Sequence, residues 1–221
     1  NQPFLDIFLG SVGTNMEIEG VKMFSKQVNT KFHEGPIAFS PNGRRVYFTR
    51  NNLGLNGKHK YDDKGIQNLK LYYAEVDAEG NWINIKEAPY NSQAFSVGHP
   101  TVSSDGKTLY FSSDMPGGFG GADIYKATIA EGLEDVVFGT PINLGSKINT
   151  EGQEMFPWVD VNGNLFFSSD GHPGFGGLDI FVSQKSHLSN LYLAENLGAP
   201  INENRDDFAF IMNLDGETGY F

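Results

Sequence analysis

The chain has 221 residues, a formal charge of −11 at neutral pH, 27 glycines and no cysteine. Its negative field repels phosphate backbones and argues against nucleic-acid binding, and the lack of cysteine excludes a disulfide framework. No apolar run approaches the roughly 18 residues that a membrane-spanning helix needs. The many glycines, together with 18 Phe and 9 Tyr, are typical of short strands joined by tight turns, with flat rings between the sheets.

A four-residue turn motif recurs along the chain. Its first residue has a short side chain that can accept a backbone hydrogen bond, its third is Asn or Asp, and its fourth is glycine, which tolerates a positive φ. The four copies are Ser40-Pro41-Asn42-Gly43, Ser103-Ser104-Asp105-Gly106, Asp160-Val161-Asn162-Gly163 and Asn213-Leu214-Asp215-Gly216. One turn chemistry at four spaced positions predicts a repeat architecture.

An aromatic pair follows every turn. The pairs are Tyr47-Phe48, Tyr110-Phe111, Phe166-Phe167 and Tyr220-Phe221. Because successive strand side chains face opposite sides of a sheet, each pair is expected to place one ring on either face. A sheet that is buried on both faces needs such rings, and the blades of a propeller are buried on both faces by their neighbours.

A glycine-rich loop and a third strand continue each unit. The loops are residues 116–121 and 173–177, and the strands after them begin at Asp123 and Asp179. In the first unit, residues 51–68 form a longer polar loop, which either binds a partner or is a flexible addition, and Lys70 replaces the aspartate. Fourth strands are predicted at residues 82–85, 136–138 and 191–193, and they lead into links that end in Tyr90-Asn91, Ile148-Asn149 and Ile201-Asn202.

The chain begins halfway through one unit and ends halfway through another. Residues 5–8 match the third strand, residues 21–24 the fourth strand, and Val28-Asn29 the link. We therefore predict one all-β propeller domain of four-stranded blades over residues 1–221. Its parts are the second half of a blade (1–35), three blades (36–98, 99–154 and 155–207) and the first half of a blade (208–221).

The two half-blades allow two kinds of ring. They could combine into one blade of a closed four-bladed propeller, or the chain could be part of a larger propeller with five or six blades. A strand cut at Phe221 would leave unpaired backbone groups at a sheet edge, which native domains avoid. We therefore favour the larger, truncated propeller.

Four segments carry a resemblance to a known family. The segment DGKTLYFSSDMPGGFGGADIY (105–125) resembles the WD-like propeller repeats of the TolB type, in particular those of OmpA-family envelope proteins of Bacteroidetes, and VNTKFHEG, LGSKINTEGQE and LGAPINENRDDFAF fit the same family. The resemblance covers nearly the whole chain, although Lys70 and the 51–68 loop depart from the pattern. It implies a periplasmic, outer-membrane-associated protein. Similar family members, such as PorE-like proteins, also have a peptidoglycan-binding domain that this sequence lacks, and some are associated with type nine secretion or gliding.

The resemblance implies a non-catalytic scaffold. Its partners would be other envelope proteins, with peptidoglycan held through a domain outside this sequence, no cofactor and no direct membrane span. The alternative is a propeller module that binds glycans, or a glycan or peptide hydrolase acting through the central channel. We find no G-x-S-x-G nucleophile and no H-x-x-x-H spacing. A sialidase would need several arginines around the substrate carboxylate, whereas Arg44, Arg45 and Arg50 all lie beside one turn, which is not a convincing site. We therefore expect no enzyme activity.

The glycine-rich loops and the carboxylates beside them have two interpretations. A phosphate-binding loop is followed by a helix, whereas strands follow these loops, so we expect glycine to allow close approach of the backbone between blades. The pairs Asp114/Asp123 and Asp170/Asp179 are weak candidates for calcium ligands. They could equally accept backbone amides and hold the loop shape. Because a site needed once would not recur in each blade, we favour the structural role and expect no metal.

Overall fold

The computed structural model describes residues 5–14, 17–26, 28–30, 32–52, 60–133, 135–184, 193–213 and 218–221. All the regular secondary structure in these ranges is β-strand. The strands form three sheets and two two-stranded ribbons. The same residues contain no helix of the length and apolarity that crossing a bilayer requires.

The strands follow the chain from one sheet to the next. The N-terminal ribbon contains β1 (Phe8–Val12) and β2 (Ile18–Met23); the first sheet contains β3 (Glu34–Phe39), β4 (Arg45–Asn51), β5 (Leu69–Val76) and β6 (Trp82–Glu87); the second sheet contains β7 (Val97–Val102), β8 (Thr108–Ser113), β9 (Asp123–Glu131), β10 (Val136–Phe138) and β11 (Ile142–Asn143); the third sheet contains β12 (Glu154–Val159), β13 (Leu165–Ser169), β14 (Asp179–Ser183) and β15 (Glu195–Asn196); the C-terminal ribbon contains β16 (Ile211–Met212) and β17 (Gly219–Tyr220). Each sheet is an antiparallel meander, with β11 pairing β9 beside β10.

The turns between first and second strands close as the motif predicts. The N–H groups of Gly43, Gly106 and Gly163 donate to the carbonyl of the first turn residue at 2.8, 2.8 and 3.0 Å. All three glycines have positive φ, at 68°, 70° and 82°, which other residues adopt at a cost. Part of the fourth turn, residues 214–216, lies outside the described residues.

The first three aromatic pairs supply rings to both faces of their sheets, as predicted, whereas Phe221 of the fourth pair is exposed. Tyr47 and Phe111 belong to one buried cluster between the first and second sheets, whereas Phe48 packs on the other face with Ile7 and Val28, which flank the N-terminal ribbon. Phe167 lies in the cluster between the second and third sheets, whereas Phe166 faces the C-terminal ribbon. The core is therefore a series of layers between sheets, and each sheet is buried on both faces.

An asparagine from each link, buried at residues 29, 149 and 202 and half-buried at residue 91, completes the third strand of its unit. Asn149 is 1% exposed; its Oδ1 accepts the N–H of Ile124 (2.8 Å) and its Nδ2 donates to the Ile124 carbonyl (3.0 Å). The same pair of bonds joins Asn29 to Ile7, Asn91 to Leu71 and Asn202 to Ile180. The side-chain amide thus takes the place of a neighbouring strand at one position of the ladder.

The N-terminal strands differ from the prediction. The third strand, expected at residues 5–8, begins only at Phe8, and its partner is β2 at residues 18–23. In the other units the equivalent residues Leu71, Ile124 and Ile180 pair with the second strand of their sheet. Among the described residues β1 has β2 as its only strand partner, so no second strand lies beside Ile7. Every residue of β1 and β2 is exposed. The predicted fourth strand at residues 191–193 lies mostly outside the described residues.

Candidate functional site

The first strands of the sheets line an open cleft, which we call the channel. Residues of β3, β7 and β12, together with the segment 209–212 that contains β16, line a cavity of about 330 Å³. Towards the turns, the cavity adjoins a second one of about 550 Å³, to which Phe39, Val102, Trp158 and Met212 also contribute. The wall of the 330 Å³ cavity is rich in proline, aromatic and aliphatic side chains. Such walls favour apolar ligands.

A bulge interrupts each first strand beside the channel. The register breaks between Glu34 and Ile37 in β3, and at the equivalent places in β7 and β12. The residues with positive φ at these positions are Gly35 (110°), His99 (52°), Phe156 (53°) and, next to β16, Ala209 (62°). Glycine adopts this backbone readily, whereas a bulky side chain there costs of order 1–3 kcal/mol. His99 and Phe156 therefore hold their rings beside the channel at an energetic cost.

Three rings form a stack along the channel wall. The His99 and Phe156 ring centroids are 4.0 Å apart and their planes differ by 11°. Phe156 and Phe208 follow at 5.2 Å and 30°. The His99 backbone is held by the Oγ1 of Thr49, which accepts its N–H at 2.8 Å. The stack joins the second sheet, the third sheet and the segment before β16 into one aromatic surface.

His99 is the titratable group of this wall. Burial lowers the pKa of its imidazole to about 4, so the ring is neutral at neutral pH. Its Nδ1 is buried and has no hydrogen-bond partner among the described residues. The side chain also borders a cavity of about 160 Å³ that Ser113, Asp114 and Gln153 help to line. A ligand group that bonds to this nitrogen would satisfy an otherwise unpaired buried atom.

A repeated proline is a signal of this site that the motif-based predictions missed. Gly35, His99 and Phe156 are each followed by proline inside the first strand of their unit. Proline lacks an N–H and is confined within sheets to edges and bulges. The proline at this position of each unit marks the bulges, although it does not reveal which side chains stack.

The glycine-rich loops serve close backbone approach, as predicted. The Gly121 N–H donates to the Gly152 carbonyl of the next link at 2.8 Å. A Cβ at Gly120 would overlap the Glu151 carbonyl group, and one at Gly176 would overlap the Arg205 carbonyl oxygen. Strands β9 and β14 follow the loops, so neither loop has the helix that a phosphate site uses.

Replacing Gly120 with alanine is expected to lower the free energy of unfolding by about 2 kcal/mol, because the added methyl group forces two packed backbones apart. Denaturant unfolding followed by tryptophan fluorescence measures the change. The control is Phe119→Ala in the same loop, where the side chain is 49% exposed and the expected change is below about 0.5 kcal/mol. Equal losses in the two variants would contradict the close-approach explanation.

The four weak calcium candidates each accept a backbone N–H. The donors are Phe119 to Asp123 (2.6 Å), Phe175 to Asp179 (2.7 Å), Ser96 to Asp114 (2.6 Å) and Gln153 to Asp170 (2.7 Å). Asp123 and Asp179 are buried, and the Oδ1 atom of each has no partner among the described residues. No cluster of three or more His, Asp or Glu side chains suited to a metal ion occurs within the described ranges. The expectation that these carboxylates bind no metal therefore stays an untested prediction.

The arginines beside the first turn hold the sheets together. The Arg45 Nη2 lies 2.8 Å from Glu131 Oε2 and its Nη1 3.4 Å from Asp135 Oδ1, which ties the first sheet to the second. Arg50 donates to the Val28 carbonyl at 2.7 Å, and its guanidinium lies 5.2 Å from the Phe48 ring centroid. These two side chains thus act in packing between and beside the sheets.

Comparisons with known proteins identify the fold. No family model matches the chain, and no curated protein matches it. Among solved structures, TolB from Acinetobacter baumannii superposes with a TM-score of 0.50 at 12% identity, over 96% of this chain and 53% of TolB. A Mycobacterium tuberculosis puromycin-hydrolysing peptidase gives 0.50 at 18% identity, over 83% of this chain and 24% of that chain. This chain thus spans about half of TolB and a quarter of the peptidase.

These similarities show the class of structure. TolB is a β-propeller protein, and the three antiparallel meanders with cores between them have the arrangement of propeller blades. The chain is therefore an all-β protein with a TolB-like propeller fold. Because one neighbour is a peptidase, the fold alone does not decide between an enzyme and a binding protein.

Proposed function

We propose that this chain is a non-catalytic propeller module that binds other proteins. The observation that carries the proposal is the ring stack in the channel, where His99 and Phe156 occupy backbone positions that favour glycine. Neither ring belongs to a buried cluster between the sheets, so ligand binding explains why this strained backbone carries rings. Among the described residues that line the 330 Å³ cavity, His99 is the only titratable side chain. Such a wall suits apolar and aromatic groups of a partner better than acid–base chemistry.

The proposed location is the periplasm, at the outer membrane. The support is the resemblance of residues 105–125 and the three link segments to PorE-like, OmpA-family envelope proteins of Bacteroidetes. In this proposal a separate domain grips peptidoglycan, and the module contributes contacts to other envelope proteins, including those of type nine secretion or gliding. The 53% share of TolB that the chain covers also supports a larger ring of five or six blades.

Photo-crosslinking in cells that produce the full-length protein tests protein binding. A photoreactive amino acid at Ile211, which lines the channel and is 49% exposed, is expected to form discrete adducts with one or a few proteins. The same amino acid at Glu79, in an exposed turn of the first sheet, is the control. The variant Phe156→Gly removes one ring without backbone strain and is expected to reduce the Ile211 adducts about tenfold, as loss of a buried aromatic anchor does.

Two results would contradict the proposal. One is the absence of protein adducts at Ile211 under conditions in which the protein is folded. The other is turnover of a glycan or peptide substrate by the purified chain that His99→Gln abolishes, which would favour the hydrolase alternative.

A further inference from the structure

Two similar loops expose a phenylalanine on the same side of neighbouring sheets. Phe119 lies between glycines in the loop 116–121 and Phe175 between glycines in the loop 173–177. Their side chains are 49% and 61% exposed, and neither belongs to a buried cluster. Because both loops join the second strand of their sheet to the third, the two rings project from the same face of the propeller. We call this the ring face.

The loops that carry these rings are held in place. The N–H groups of Phe119 and Phe175 donate to the buried carboxylates of Asp123 and Asp179 at 2.6 and 2.7 Å. The following glycines lie against the link of the next unit. The loop fold therefore depends on the glycines and the aspartates, and the phenyl rings add nothing to it. Exposed rings on a fixed backbone lose little conformational entropy on binding, which suits an interaction surface.

The first sheet continues the ring face with other apolar side chains. Its loop is the longer segment 51–68, and in the described part of that loop Tyr61 and Ile66 are 55% and 53% exposed. All three loops of this face thus display at least one large apolar side chain. Large apolar side chains that are exposed on the same face of several sheets are typical of interaction sites on soluble proteins.

The surroundings of the two phenylalanines are acidic. Asp114 and Asp170 precede the loops, and Glu151, Glu203 and Asp206 lie in the links that the loops touch or adjoin; all five are exposed. Arg205 is the cation of the link beside the Phe175 loop. The link beside the Phe119 loop also carries Lys147, and the loop of the first sheet carries Lys60 and Lys64, so the acidic character belongs to the surroundings of Phe119 and Phe175. With a chain charge of −11, these surroundings attract cations and repel anionic surfaces.

We infer that the ring face binds a basic segment of another protein, in which aromatic or aliphatic side chains pack on Phe119 and Phe175 and lysines or arginines pair with the acidic rim. The inference rests on the proposed function and adds a second surface next to the ring stack, since Asp114 of its acidic rim also lines the 160 Å³ cavity that His99 borders. Charge complementarity selects the partner: a negatively charged membrane or an acidic peptide would be repelled by the same carboxylates.

A displayed library of random 12-residue peptides is the probe. Peptides selected on the purified chain are expected to be rich in lysine, arginine and aromatic residues. Their affinity should fall at least tenfold in the double variant Phe119→Ser/Phe175→Ser and remain within twofold in Phe119→Leu/Phe175→Leu. The matched control is Phe8→Ser on the N-terminal ribbon, where the side chain is 54% exposed and the affinity should not change. Raising the salt concentration from 0.05 to 0.5 M should weaken binding about tenfold.

Other outcomes would overturn the inference. These are selected peptides without basic enrichment, selected peptides that bind the double variant normally, no selected peptide at all, and soluble peptidoglycan fragments whose binding needs the two rings. Thermal unfolding of the double variant should match the parent chain, since both rings are exposed. If the peptide experiment fails but the Ile211 crosslinks persist, the proposal of protein binding at the channel still holds. If both experiments fail, the proposed function as a binding module is wrong.

Discussion

Replacing Asn149 with alanine is expected to lower the free energy of unfolding by about 2–3 kcal/mol. The variant leaves the buried N–H of Ile124 without its acceptor, because no strand lies at that position to replace the amide. The Ile124 carbonyl keeps one donor, the N–H of Leu144 at 3.1 Å, so the loss comes mainly from one orphaned donor and the space left by the side chain. Urea unfolding followed by circular dichroism measures the change.

A control asparagine lies in the next unit. Asn162 is exposed in the turn between β12 and β13, and Asn162→Ala is expected to change the free energy of unfolding by less than about 0.5 kcal/mol. A similar small change for Asn149→Ala would mean that water replaces the amide inside the sheet. The repeated asparagines at residues 29, 91 and 202 would then be dispensable as well.

The parts of the fold that local chemistry determines could be predicted from the sequence. Gly43, Gly106 and Gly163 mark turns because one residue type fits a positive φ there, and the pair Tyr47-Phe48 indicates two buried faces because side chains alternate along a strand. The sequence places Asn149 in a link. Its hydrogen bond to Ile124 could not be predicted, because the two residues are 25 positions apart.

The candidate site was harder to predict than the fold. The stack of His99, Phe156 and Phe208 joins three units, so no local pattern in one unit contains it. The repeated motifs instead drew attention to the carboxylates at Asp123 and Asp179, whose repetition reflects the need to hold a glycine-rich loop. Residues that recur in each unit thus indicate the architecture. A position with positive φ that is glycine in one unit and a large side chain in another, such as Gly35 and His99, instead indicates a binding site.

The stability of the chain is expected to fall as the pH is lowered from 7.5 to 5.5, and His99 should account for about 1 kcal/mol of that loss. The folded chain holds the imidazole pKa at about 4, below its ordinary value of about 6.5. In this window the unfolded chain therefore takes up a proton at His99 that the folded chain does not. Because the unfolded state binds more protons, acid favours unfolding.

The variant His99→Phe isolates this effect, since it keeps a ring for Phe156 to stack on and removes the titration. The difference in free energy of unfolding between variant and parent should shift by about 1 kcal/mol in favour of the variant between pH 7.5 and 5.5, while the other titrating groups cancel in the subtraction. Equal pH slopes in the two proteins would mean that solvent reaches the imidazole in the folded chain. The unpaired Nδ1 would then no longer indicate a place for a ligand group in the channel wall.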